Sequence, residues 1–136
     1  MNEIVIRIQF TFAAMGRGLS MILGGFDGIL RALILFVIMD YITGLMVAII
    51  QRKLSGEAGF NQIAKKVVIF FLVAIAHVID LYIIRTESVI RTAVILFYLY
   101  NEGNSILKNV SLLGLPIPKK LKDIMEQLKE KDEMED

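Results

Sequence analysis

Six ionisable side chains interrupt runs that are otherwise apolar: Arg31, Asp40, His77, Asp80, Arg91 and Glu102. Ionisable groups among so many Leu, Ile, Val and Phe residues mark an interior face, a partner or a watery path, because an isolated charge in hydrocarbon is costly. Their types support little catalysis. His77 and Asp80 share a helical face at i, i+3, a spacing compatible with metal or proton chemistry. There is only one His and no Cys, however, whereas a protein-held zinc site draws on several such ligands. A structural hydrogen bond or a lumen-facing role fits His77 better. No nucleophile–base pair stands out, so no enzymatic activity is expected, and no metal or other cofactor is implied.

The elements that must position these residues follow from the apolar runs. Gly28–Ile50 is broken only by Arg31 and Asp40, and the run at residues 67–84 contains His77 and Asp80. The run at 89–107 is more polar, with Arg91, Asn101, Glu102 and Asn104. A helix crosses the roughly 30 Å hydrocarbon core with about 20 mostly apolar residues, so each length suits a span. At about 0.3–0.6 kcal/mol gained per apolar residue against roughly 3 per central charge, the first run inserts despite Asp40. The third comes out near zero and needs company.

Composition agrees. Of 136 residues 56% are apolar, more than one small soluble domain requires, and the net charge of +1 gives no electrostatic reason to bind nucleic acid. The expected fold is an all-α membrane protein with about three transmembrane helices. Residues 1–26 are expected to form an amphipathic interfacial helix, with Ile4, Ile8, Phe12, Met15, Leu19 and Ile22 on one side and Glu3, Arg7, Thr11 and Arg17 towards the other, a weak fourth span being the alternative. Gly24, Gly25 and Gly28 supply the bend into a membrane domain at 27–110. Beyond Gly114, Pro116 and Pro118, residues 111–136 are read as a charged tail with a short amphipathic helix built on Leu121, Ile124, Met125 and Leu128. From Glu126 onward the tail reads as solvated.

Lys and Arg accumulate on the cytoplasmic side of short loops. Arg52, Lys53, Lys65 and Lys66 fill the first connection, and Lys108, Lys119, Lys120 and Lys122 follow the third run. The first loop and the C-terminus are therefore expected in the cytoplasm. At about 1.5 Å of rise per residue, Arg31, Asp80 and Arg91 lie near the outer ends, where either Asp80 pairs with an arginine or the arginines simply extend to the interface. Asp40 and Glu102 each lie roughly 18–20 Å deep, at one level. Two carboxylates so placed repel when ionised, so one must carry a proton or water must reach them. Arg91, Tyr98, Glu102 and Ser105 share a narrow arc of the third helix, which turns either to its own neighbours or to a lumen built by several copies. Gly28 and Ala32, then Gly44 and Ala48, recur at the four-residue spacing that lets helices approach closely.

Four segments together resemble a known family: DYITGLMVAIIQRKLSGEAGFNQIAKK, AHVID, RTAVILFYLYNEGNSILKN and GLPIPKKLKD. In order and spacing, over roughly residues 25–125, the chain is similar to the bacteriophage lysis and clostridial toxin-secretion holins. Asp40, Thr43 and Gly44 match the family's motif in the first span. Glu102, Ser105, Ile106 and Lys108 match its NE-SILKN motif at the inner end of the third. The resemblance implies a homo-oligomer of many copies in the host cytoplasmic membrane, opening lesions through which a murein hydrolase or a toxin escapes. A small oligomeric ion channel or transporter subunit, with Asp40 and Glu102 lining a narrow path, is the other function compatible with the residues.

Overall fold

A computed structural model describes residues 2–135, with side-chain surroundings as far as Lys131. Five helices follow one another: α1 (Asn2–Leu23), α2 (Gly28–Ile50), α3 (Gly56–Val78), α4 (Val89–Leu112) and α5 (Lys119–Glu135). A π-helical turn, Ile79–Ile83, prolongs α3. Two of these, Gly28–Ile50 and Gly56–Ile83, are long and apolar enough to cross a membrane. The polar residues of α4 keep it below that mark. The run expected at 28–50 coincides with α2, whereas those at 67–84 and 89–107 correspond to longer helices, α3 beginning eleven residues earlier than its apolar run because Ser55 caps it.

Local chemistry sets the boundaries. Asp27 caps α2 by accepting the Leu30 N–H at 3.2 Å, and Ser55 caps α3 by accepting that of Ala58 at 3.1 Å. Gly24 and Gly25, at φ +85° and +100°, turn the chain between α1 and α2. Gly28 takes no part in that bend and simply opens α2. Gly114, at φ +92°, ends α4 ahead of Pro116 and Pro118.

Helix α4 is the hub, packed against α2, α3 and α5. It runs parallel to α2 and antiparallel to α3, since Asp27 meets Arg91, Asp40 meets Glu102 through Lys66, and Asp80 meets the start of α4. Leu30, Leu33, Val73 and Ile95 form the fully buried centre, with Val37, Ile69, Leu96 and Leu99 around them. In lipid such a core is held by close packing and polar contacts rather than by release of water.

One element departs from the sequence expectation. The charged C-terminal segment is a continuous helix rather than a free tail, and it folds back along α4: Met125 is buried and Leu128 joins the core. Leu121 and Ile124, expected on the same apolar side, are exposed. Helix α1, by contrast, touches the rest only near its end, where Leu23 is buried; Ile4, Ile8, Phe12, Met15, Leu19 and Ile22 are all exposed.

Candidate functional site: two polar clusters between the helices

The inner cluster is built around a residue that sequence reasoning placed in the first loop. Lys66, on α3, extends its Nζ to Asp40 Oδ2 at 2.6 Å and to Glu102 Oε2 at 2.7 Å. The two carboxylates do share one level, as their depths require, and a cation lies between them. Lys66 reaches them along its apolar stem, with its charge turned into the bundle rather than out of it. All three side chains are nearly buried, at 9–12% exposure. Asn109 completes the group by donating to Asp40 Oδ1 at 3.1 Å and to Thr43 Oγ1 at 2.9 Å. Thr43 in turn donates to the Met39 carbonyl at 2.8 Å. An open cavity of about 300 Å³ adjoins the cluster, lined by Asp40, Gly44, Ala48, Lys53, Gln62, Lys66 and Ser105 among others. Gly44 brings α2 close to α4, 3.8 Å separating its would-be Cβ from Asn109 Nδ2. Ala32 packs against the core and Ala48 lines the cavity, whereas Gly28 has nothing near it.

The outer cluster corrects the expected pairing of Asp80 with an arginine. The Asp80 carboxylate is spent on capping α4: it accepts the backbone N–H groups of Ile90 at 3.0 Å and Arg91 at 2.8 Å, and the Thr86 hydroxyl at 2.6 Å. The nominal cap, Ser88, sits in the left-handed region and makes no side-chain cap bond. The π turn after Val78 advances the register so that Asp80 faces the start of α4. Arg31 is exposed. The Arg91 guanidinium, 1% exposed, turns the other way. Its Nε donates to the Leu23 carbonyl at 2.6 Å and its Nη2 to that of Gly25 at 2.8 Å; Nη1 and Nη2 hold Asp27 at 2.8 and 3.1 Å. The bidentate bond and nearby positive charge hold the Asp27 carboxyl below the ordinary value of 3.8, and its bond from the Leu30 N–H acts in the same direction. One arginine therefore ties the α1–α2 turn to the start of α4. An ideal Cβ on Gly24 would stand 2.7 Å from Arg91 Nε and from His77 Nδ1. His77 thus packs beside this clamp, and among the described residues no group of three or more His, Cys, Asp or Glu is gathered for a metal.

The arc expected on α4 divides. Arg91 is buried against the α1–α2 turn and Glu102 against α2 and α3, and Tyr98 and Ser105 are half-buried. Asn101 is exposed, and with Asn104, Lys108 and Ser111 it forms an uncovered polar strip along the C-terminal half of α4. The exposed side of α5, with Lys122, Asp123, Glu126, Gln127, Lys129 and Glu130, extends that polar flank. The other flank is greasy: Leu35, Ile38, Ile42 and Met46 on α2, and Val68, Phe71, Ile75 and Val78 on α3, are exposed. The molecule is two-sided.

The model of the bacteriophage holin family matches residues 17–130. The chain belongs to that family. An uncharacterised protein of Listeria monocytogenes is 41% identical over 87% of this chain and 84% of its own length. A 14.9 kDa protein of Clostridium perfringens is 34% identical over 96% of this holin-family chain and 99% of its own, and a Bacillus subtilis protein is 32% identical over 79% and 80%. The names of these relatives state no activity. No solved structure matches. Family membership and the apolar helices make the chain a membrane protein, and the family is non-enzymatic in general.

Proposed function

We propose that this chain is a lesion-forming holin whose copies assemble in the bacterial cytoplasmic membrane with α2 and α3 towards lipid and the α4–α5 flank towards water. The observation that carries the reading is the two-sidedness just described. The exposed residues of α2 and α3 suit hydrocarbon, whereas Asn101, Asn104 and Lys108, with the charged side of α5 beside them, do not. Each Lys or Asp at mid-bilayer opposes insertion by about 2.5–3.5 kcal/mol, so the flank finds water or a partner instead. Helix α4 then crosses as the third span, sheltered on one side by α2 and α3. Three helices enclose no protein-sized channel, so a large opening needs many copies. In this reading the Asp40–Lys66–Glu102 cluster holds the spans in register.

The orientation follows from charge. Lys66 is engaged inside the bundle, yet Arg52 and Lys53 remain exposed at the first connection, Lys65 on α3 beyond it, and Lys119, Lys120 and Lys122 at the start of α5. These mark the cytoplasmic side. Helix α1, with its apolar residues uncovered, lies in the outer interface. The cargo is a cytoplasmic murein hydrolase or, in a toxin-secreting host, a large toxin.

The cavity beside Asp40 and Lys66 favours a second reading, a narrow ion-conducting subunit. Cargo size separates the two. Inducible expression in bacteria that also hold a murein hydrolase with no export signal should lead to abrupt lysis. Leakage of ions with the hydrolase retained would replace the holin reading with the channel.

A further inference from the structure

Helix α5 lies where lipid would otherwise be. Met125 is buried on α4 with its methyl group against Gly103, so close that a Cβ on Gly103 would collide with it and would stand 3.1 Å from Phe36 Cε2. One turn farther along, Lys129 sits 5.8 Å from the centre of the Tyr100 ring. On the helical rise, Tyr100 and Gly103 are about 17 and 21 Å from the start of α4, well inside a hydrocarbon layer of roughly 30 Å. At that depth the outward side of α5 presents Lys122, Glu126, Lys129 and Glu130. A seated α5 and a lipid-covered α4 flank exclude one another, because those charges have no partner in hydrocarbon.

We infer that the Gly103 notch is the docking site of the chain's own C-terminal helix in the hydrated assembly, and that α5 leaves it when the flank meets lipid. The inference rests on the proposed reading, in which this flank faces water once copies assemble. Since α5 binds one of two states, its docking shifts the balance towards that state. Helix α5 is then part of the wall of the opening, and its apolar contacts (Met125 in the notch, Leu128 in the core) help hold the opening once formed.

The sequence contains no cysteine, which gives a clean background for the test. One variant carries Gly103→Cys with Met125→Cys, the shortened residue 125 leaving room for the new side chain. It is treated with a short membrane-permeant dithiol crosslinker. A second variant carries Asn104→Cys and is probed with an impermeant maleimide in inverted vesicles. Both are sampled before and after permeabilisation. The expected result is that intramolecular crosslinking and Asn104→Cys labelling rise together severalfold. Crosslinking at full yield while position 104 stays unlabelled, or labelling with no crosslink, overturns the inference. Met125→Asp, which leaves α4 untouched, should delay or reduce opening at equal protein level; opening on schedule overturns it as well. Failure to release a hydrolase at all would sink the holin reading, while the comparison of crosslinking with labelling still decides whether docking follows hydration.

Discussion

Replacing Lys66 with Met keeps the length of the stem and removes the charge that Asp40 and Glu102 share. Both carboxylate oxygens lie within 2.7 Å of the same Nζ, so at most about 5 Å separates them. Two like charges at that distance repel by about 3 kcal/mol at an effective dielectric constant of 20. The figure agrees with the roughly 3–5 kcal/mol lost when one partner of a buried ion pair is deleted. The adjoining cavity admits water, which places the expected loss at the lower end of that range. Denaturant titration of the purified protein in mild detergent, followed by circular dichroism, should show the folding equilibrium weakened about a hundredfold in Lys66→Met. Adding Asp40→Asn and Glu102→Gln to that variant removes the uncompensated charges and should restore most of the loss. A loss below about 1 kcal/mol, or a triple variant no better than the single, would refute the idea that Lys66 acts by neutralising this pair.

Gly24→Ala adds a Cβ in the left-handed region and into Arg91 and His77; a loss of about 1–3 kcal/mol is expected in the same titration, and wild-type stability would show that the turn is not held as described. Asp80→Ala leaves two backbone N–H groups at the start of α4 without their cap, for a loss of about 2 kcal/mol or more, visible as faster amide exchange at Ile90 and Arg91. The Arg91–Asp27 clamp is pH-dependent. Because the folded state holds the Asp27 carboxyl below 3.8, the clamp's contribution is present above that value and lost as pH falls through the lower, folded one. Asp27→Asn should therefore flatten the acid limb of a stability–pH curve, and an unchanged limb would count against the clamp. Asn109→Leu removes the bonds to Asp40 and Thr43 and should loosen α2 against α4 by about 1–3 kcal/mol, which interhelical crosslinking at the inner end would report.

The helices of the two most apolar runs, and the common level of Asp40 and Glu102, were legible because hydropathy and a fixed rise per residue are properties of one chain segment at a time. Asp40 and Glu102 share a level for that reason alone. What joins them was hidden: Lys66 stands ahead of the apolar run of α3, where a lysine is indistinguishable from the loop charges that set orientation. The signal available was a demand rather than a motif, since two buried carboxylates at one level call for a cation within reach. Asp27 was missed in the same way. An Asp just before an apolar helix reads as a cap, which it is, and nothing local tells that Arg91 also holds it. The misassigned partner of Asp80 came from pairing charges by depth, when the backbone N–H groups of a new helix were the nearer claimants. The seating of α5 depends on Gly103 and Met125 meeting across a reversal of the chain, a contact that periodicity within either helix does not encode.

In the proposed assembly one flank of the molecule faces water and the other faces lipid. This two-sidedness is tested most directly by single-cysteine labelling with an impermeant maleimide in membranes where the protein has opened. Fast labelling is expected at positions 101, 104 and 108, and protection at positions 35, 42 and 71. Protection at 104 together with labelling at 35 and 42 would contradict it.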